Sequence, residues 1–170
     1  MKKRVVIDIL LLAIAGVLIW FDQFTKGLVV KNLTGGKQVV IWEGVFKIVS
    51  HKNTGAVWGI MSNKTDLLSI VTCIILIAVL VLFFMIKWEH KRLRPMKLIA
   101  MFVIAGAVGN LIDRIKLKYV VDFLYFELID FPVFNVADCY ITVSMILILI
   151  LVIFYYKDED FNLIWPKKSK

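Results

Sequence analysis

The sequence has few of the residues that build metal sites and disulfide frameworks. It contains two cysteines, two histidines and three prolines among 170 residues. Cys73 and Cys139 lie inside or at the edge of long apolar runs, and no CxxC pair occurs, so we expect neither a disulfide nor a metal site. His51 and His90 form neither an HExxH motif nor a pairing with a serine nucleophile. We therefore expect an activity that needs no metal and no cofactor.

Charged residues are also scarce, at 20% of the chain against 61% hydrophobic residues. A soluble protein of this length would cover its surface with charge. The apolar residues instead fall into four runs, each close to the roughly 17–25 residues that a helix needs to cross a bilayer. We predict one membrane domain over residues 1–170, mainly α-helical, with transmembrane helices at about 5–21, 67–86, 97–112 and 139–156.

The first apolar run has a second interpretation, which is a cleaved signal peptide. Residues 2–4 are basic, and the small residues Ala13 and Ala15 on either side of Ile14 resemble a cleavage site. The apolar run continues past this point to Phe21, however. We therefore expect the first helix to be retained.

The basic residues favour one orientation of the four helices. They precede the first helix, crowd the link between the second and third helices, and follow the fourth. The positive-inside rule then places both termini in the cytoplasm. We interpret the formal charge of +8 as a topology signal and an attraction to anionic lipid. Nucleic-acid binding is not expected, because no basic module with interleaved aromatic residues is present. The three clusters contain Lys2, Lys3, Arg4, Lys87, Lys91, Arg92, Arg94, Lys97, Lys157, Lys167, Lys168 and Lys170.

The connection between the first two helices has β-strand character. Residues 38–50 are rich in Val, Ile, Trp and Phe and are interrupted by a Glu-Gly pair, which predicts a short hairpin. Turn signals at residues 35–36 and 53–55 flank it. We expect a small extracytoplasmic β-sheet, formed by an insertion at about 35–60, that lies on the outer membrane surface through its aromatic residues.

Acids and amides gather near the predicted outer ends of the helices. Each one alone can be an ordinary helix-end residue. Asp22 and Lys26 have the i,i+4 spacing of a surface pair, and Asn135 is a natural N-cap that would place Asp138 in the first turn of the fourth helix. Asp122 is harder to explain in this way, because it interrupts an apolar stretch. The whole set comprises Asp22, Lys26, Asn53, Asn110, Asp113, Arg114, Asp122, Asn135 and Asp138.

Asp122 and Asp138 are separated by a loop containing Pro132, which can fold back and bring the two carboxyls together. Two neighbouring carboxyls share a proton, so one acts as general base and the other as general acid. Such a pair activates water against a peptide carbonyl. A position in the first helical turn favours the ionised form of Asp138, which would leave the proton on Asp122. Asp8, at the other end of the first helix, is expected to be either solvated or paired with Arg4.

Five motifs, in order along the chain, resemble the lipoprotein signal peptidase (signal peptidase II) family of bacterial membrane aspartic peptidases. They are FDQFTK at 21–26, HKNTGAVWG at 51–59, AGAVGNLIDR at 105–114, VVDF at 120–123 and FNVAD at 134–138. Val57 and Ala105 depart from the small residues that are common in the family, which affects packing and not the proposed catalytic pair.

The resemblance implies a role for each polar residue. Asp122 and Asp138 correspond to the catalytic pair. The resemblance further implies a prolipoprotein substrate cut on the amino side of a diacylglyceryl-modified cysteine, and a monomer in the bacterial cytoplasmic membrane with its site near the extracytoplasmic face. Substrate-binding or site-ordering residues would be Asn53, Gly55, Asn110, Arg114 and Asn135, and structural polar residues would be Asp22, Lys26 and Asp113.

Two other classes of function fit some of these features. A proton-coupled transporter could use acids near the membrane, but it would need polar residues throughout the membrane depth. The uncharged second and fourth helices disfavour it. A non-enzymatic assembly factor would use the acids only to cap helices and would tolerate Asp122→Asn and Asp138→Asn.

Overall fold

The computed structural model describes residues 2–33, 35–55 and 64–165. Within these ranges, four helices are long and apolar enough to cross a membrane. A shorter helix follows the last of them. The helices are α1 (Lys2–Asn32), α2 (Thr65–Met85), α3 (Arg94–Leu117), α4 (Val136–Phe154) and α5 (Asp158–Asn162).

Two of the long helices extend further than the apolar runs indicated. The predicted end of α1 near Phe21 is wrong, because the helix continues to Asn32. Helix α3 begins at Arg94 and ends at Leu117, beyond both predicted limits. The extensions carry polar residues such as Lys26 whose side chains are buried against other helices. These residues are paired inside the protein and therefore do not end the helix.

Helix α3 forms the centre of the bundle. It packs against α1, α2 and α4, and half of its residues are buried. The other three long helices keep wide apolar faces exposed, as the 63% exposure of Ile74 in α2 illustrates. A Cβ atom added to Gly106 would lie 2.5 Å from the carbonyl oxygen of Ala137. Small residues therefore let α3 and α4 approach closely, as is common in membrane helix pairs.

A three-stranded antiparallel sheet lies at one end of the bundle. Strands β1 (Val39–Trp42) and β2 (Phe46–Asn53) form the predicted hairpin. The third strand, β3 (Val120–Phe126), follows α3 and pairs with β2. Its strand structure was not predicted. The part of the predicted insertion at 56–60, including Val57, lies outside the described residues. Because the sheet joins the α1–α2 and α3–α4 connections, we call this end of the bundle the sheet end.

A buried lysine stabilises the opposite end. Lys97 is fully buried, and its amine lies 2.7 Å from a carboxylate oxygen of Asp8 and donates to the carbonyl oxygen of Ile86 at 2.7 Å. Arg4 also approaches Asp8, at 3.8 Å, as the sequence indicated. Lys97, which the sequence analysis counted among the basic residues between the second and third helices, therefore links α1 to α3 inside the bundle.

Candidate active site

The beginning of α4 is organised by a reciprocal cap. The side-chain oxygen of Asn135 accepts a hydrogen bond from the backbone amide of Asp138 at 3.0 Å. The Asp138 carboxylate accepts from the backbone amide of Asn135 at 3.1 Å. This capping box confirms the predicted N-cap. It also directs the carboxylate of Asp138 back toward the loop that precedes the helix.

Asp122 is almost completely buried in β3, with 1% of its surface exposed. One carboxylate oxygen accepts a hydrogen bond from the side-chain amide of Asn135 at 2.7 Å. The other accepts from the side-chain amide of Asn53 at 2.8 Å. Asn53 is itself oriented by Gly55, whose backbone amide donates to the Asn53 side-chain oxygen at 2.9 Å.

Asn110 connects the two aspartates. Its side-chain nitrogen donates to Asp138 at 2.7 Å, and its side-chain oxygen accepts from Asn135 at 3.0 Å. Because Asn135 also donates to Asp122, a continuous chain of amides runs from one carboxylate to the other. Both aspartates are therefore held in one hydrogen-bonded unit although they come from different elements.

Both carboxylates line a cavity of about 1050 Å³, which we call the larger cavity. Its wall includes Asn53, Gly55 and Arg114, and it continues along α4 past Ile141 and Val143. A cavity of this volume can hold an extended peptide segment. An apolar wall with a few converging polar groups is typical of a substrate site.

The environment of Asp122 favours its neutral form. Burial raises the pKa of Asp122 to about 7, and the negative charge of nearby Asp138 acts in the same direction. The hydrogen bonds from Asn53 and Asn135 oppose this shift. A carboxyl with a pKa near neutrality can hold a proton and also give it up, as general acid–base chemistry requires.

A second buried group lies behind the aspartates, and we call it the Lys26 cluster; it consists of Lys26, Asp22, Asp113 and Gln23. The three protons of the Lys26 amine have three acceptors: Asp22 at 2.9 Å, Asp113 at 3.0 Å and the side-chain oxygen of Asn110 at 2.9 Å. Asp22 and Lys26 thus pair as their spacing suggested, but inside the protein. Asp113 pairs with Lys26 and not with its neighbour Arg114.

The Lys26 cluster also holds the backbone beside Asp122 and beside Asp138. Asp22 accepts a hydrogen bond from the backbone amide of Ala137 at 2.9 Å, next to Asp138. Asp113 accepts from the backbone amide of Val121 at 3.1 Å, next to Asp122. The cluster therefore fixes the relative positions of α4 and β3.

Sequence reasoning missed several residues of the site. Gln23 donates to Asp113 at 3.0 Å and to the carbonyl oxygen of Gly109 at 3.1 Å. Its i,i+3 spacing from Lys26 placed it on the same helix face, and this was the available signal. His51 lies opposite Asp122 in the β2–β3 pairing and lines the larger cavity. Within the described ranges, no group of three or more His, Cys, Asp or Glu residues is arranged to hold a metal ion.

Comparison with curated proteins finds similarity over most of the chain. The lipoprotein signal peptidase of Brevibacillus brevis is 42% identical over 137 residues, which cover 81% of this chain and 90% of the relative. The lipoprotein signal peptidase of Staphylococcus haemolyticus is 38% identical over 152 residues, which cover 88% of this chain and 94% of the relative.

Comparison with solved structures agrees with this result. One bacterial membrane enzyme, solved by the in meso method, superposes with a TM-score of 0.76 at 32% identity and covers 96% of this chain and 93% of its own. Another bacterial membrane enzyme superposes with a TM-score of 0.73 at 35% identity and covers 88% of this chain and 94% of its own. A family model described as signal peptidase (SPase) II matches residues 14–154. The chain therefore belongs to the signal peptidase II family.

Proposed function

We propose that this protein is the membrane endopeptidase that removes signal peptides from prolipoproteins, with Asp122 and Asp138 as its catalytic pair. It cuts the bond on the amino side of a diacylglyceryl-modified cysteine. The observation that carries the proposal is the convergence of two carboxylates from separate elements on one cavity, joined by Asn110 and Asn135. This is the arrangement that aspartic peptidase chemistry needs.

The two carboxyls have different roles in the proposed reaction. Asp138 lies in the first turn of α4, where the helix dipole stabilises negative charge, so it takes a proton from the attacking water. The water oxygen forms a bond to the peptide carbonyl carbon, and Asp122 gives its proton to the carbonyl oxygen. Collapse then breaks the carbon–nitrogen bond, and the leaving nitrogen receives a proton from the pair. The products are a signal peptide with a free carboxylate and a lipoprotein with a free amino terminus.

The amide residues prepare this pair for the reaction. Asn53, Asn110 and Asn135 each donate to a carboxylate oxygen, which fixes the orientation of the two carboxyls that line the larger cavity. Arg114 lines the same cavity and supplies a positive charge for a developing oxyanion or a substrate carbonyl. Preorganised groups of this kind need little rearrangement during the reaction.

The proposed orientation places the sheet end on the extracytoplasmic side. The basic residues at the beginning of α1 and in the link between α2 and α3 lie at the opposite end, which the positive-inside rule assigns to the cytoplasm. We propose that both termini are cytoplasmic. At the sheet end, Trp42 is 69% exposed, and Leu128 and Ile129 are each 68% exposed. Such large exposed apolar side chains fit a sheet that rests on the membrane surface. The acyl chains of a lipidated substrate would then set the depth of the scissile bond. We propose that the protein acts as a monomer.

The proposal is tested by incubating the purified protein in detergent with a diacylglyceryl-modified peptide and with the same peptide unmodified. Mass spectrometry of the products identifies the bond that is cut. We expect cleavage on the amino side of the modified cysteine and little cleavage of the unmodified peptide. Failure of the folded protein to cut the modified peptide would favour a transporter or an assembly factor instead.

A further inference from the structure

A smaller cavity of about 340 Å³ lies between α1 and α3 at the sheet end. None of its lining residues lines the larger cavity. It is formed near the last turns of the two helices, and its floor consists of the buried residues Lys26 and Asp113 with the half-buried Gln23. The reaction proposed above makes no use of this space.

The rim of the smaller cavity carries two cationic side chains. Lys31 lies in the last turn of α1 and Lys116 in the last turn of α3, and both are exposed. Among the residues that the structure describes, no acidic side chain forms an ion pair with either amine. Two positive charges therefore face one small space.

The acidic residue in the floor does not cancel these charges. Both carboxylate oxygens of Asp113 are engaged, one by Gln23 and the other by Lys26 and the backbone amide of Val121. Lys26 is shared between Asp113 and Asp22, so its single charge offsets only part of the two carboxylates. The two amines at the rim exceed the one negative charge that is left, and an anion there would still meet a net positive charge.

The walls of the smaller cavity are continuous with the lipid-facing surface. Val30 and Leu117 line it and are 41% and 42% exposed. They lie at helix ends, where membrane-spanning helices reach the depth of lipid headgroups. The ligand that matches the cationic rim and the aliphatic wall carries a phosphate, which contacts the two amines, and a hydrocarbon chain, which packs against the wall.

We propose that the smaller cavity binds the headgroup of an anionic glycerophospholipid. Lys31 and Lys116 contact the phosphate, and the acyl chains run along Val30 and Leu117. The bare backbone at Gly27 leaves room for the headgroup, because a Cβ atom added there meets no heavy atom within 4 Å. This site is separate from the proposed peptidase site.

The first test measures lipid binding to the full-length protein in neutral detergent by native mass spectrometry. Dioctanoyl phosphatidylglycerol is the anionic probe, dioctanoyl phosphatidylcholine the zwitterionic probe, and glycerol 3-phosphate the probe for phosphate alone. We expect the wild-type protein to prefer the anionic lipid, and the Lys31→Gln/Lys116→Gln variant to bind it about tenfold more weakly. The Lys37→Gln/Lys64→Gln variant is a charge-matched control, because neither residue lines the cavity.

A second variant keeps the charge and removes the space. Gly27→Leu places a side chain in the smaller cavity without a backbone clash, and it should abolish the preference for the anionic lipid while both lysines remain. Equal binding of the two lipids by the wild-type protein would overturn the proposal. So would an equal loss in the Lys37→Gln/Lys64→Gln control, or unchanged binding in Gly27→Leu. Binding of glycerol 3-phosphate as tight as that of the lipid would replace the lipid by a free phosphate ligand.

Discussion

At the scale of single residues, Asn135 performs two tasks with one side chain. Its oxygen caps α4 by accepting from the backbone of Asp138, and its nitrogen donates to Asp122 and to Asn110. The cap contributes to stability, whereas the amide bridge contributes to catalysis in the proposed reaction. The two contributions can be separated because serine caps a helix about as well as asparagine but cannot provide the bridge.

Asn135→Ser should therefore lower the turnover rate by at least about tenfold while it retains the cap. Asn135→Ala should lower the turnover rate by the same factor, because it also lacks the bridge. It should in addition lower the free energy of unfolding by ~1 kcal/mol relative to Asn135→Ser, because the cap is absent. Peptide cleavage rates and thermal unfolding midpoints of the two variants provide the comparison. A wild-type rate in Asn135→Ser would show that the amide bridge has no catalytic role.

The shifted pKa of Asp122 makes a prediction about stability. The pKa is raised from 3.8 to about 7 by burial and by Asp138, so between these values the native state holds a proton that the unfolded chain has lost. The free energy of unfolding should therefore fall as the pH rises through this range. The Asp122 carboxyl contributes at most about 1.4 kcal/mol per pH unit to this decrease in the free energy of unfolding.

Asp122→Asn removes this titration and serves as the comparison. The stability of the variant relative to wild type should increase from about pH 4 to about pH 7 and then remain constant. Chemical unfolding of both proteins in the same detergent across this range measures the difference. A difference that does not change with pH would contradict the raised pKa.

At the scale of elements, the close contact of α1, α3 and α4 depends on Gly109. A Cβ atom added there would lie 2.6 Å from a carboxylate oxygen of Asp22 and 3.3 Å from the Cβ of Ala137. Asp22 is fully buried and holds both Lys26 and the backbone amide of Ala137. Any displacement of Asp22 therefore disturbs the beginning of α4.

Gly109→Ala should destabilise the protein by about 3–5 kcal/mol, the usual effect of disrupting a buried ion pair. Gly16→Ala is the matched control, since an added Cβ there meets nothing within 4 Å. The control should be neutral or stabilising by up to about 1 kcal/mol, because alanine favours helix over glycine. Thermal unfolding of the two variants distinguishes these outcomes, and equal stability would show that Asp22 can move without cost.

The elements differ in how far they could be predicted. The four long helices follow from apolar runs, and the N-cap at Asn135 follows from local chemistry, so these needed no tertiary information. Strand β3 was missed because its short apolar run does not distinguish strand from helix, and its pairing with β2 is distant in sequence. The end of α1 was misplaced because the acceptors of Lys26 include Asn110 and Asp113, which only the folded chain brings near. Asp122 and Asp138 could be proposed as a catalytic pair from the sequence because carboxylates in apolar surroundings are costly without a role.

At the scale of the whole molecule, the distribution of charge predicts the orientation in the membrane. The basic link between α2 and α3, the beginning of α1 and the end of α4 lie at one end of the bundle, and the sheet lies at the other. A reporter enzyme that is active only outside the cytoplasm should therefore be active when fused after Lys37 and inactive when fused after Lys91. The reverse pattern would place the proposed catalytic pair in the cytoplasm and exclude a lipoprotein substrate processed at the outer surface.

The central claim is that Asp122 and Asp138 together carry out peptide hydrolysis. The most direct test is the cleavage rate of a diacylglyceryl-modified peptide by Asp122→Asn and Asp138→Asn, each first shown to be folded. Asp66→Asn serves as the control, because this exposed aspartate pairs with Lys118 at the same end of the bundle and does not line the larger cavity. The cleavage rates of Asp122→Asn and Asp138→Asn should each fall by a factor of about 10² or more, and the control should keep the wild-type rate. A folded Asp122→Asn or Asp138→Asn protein that cleaves at the wild-type rate would contradict the claim.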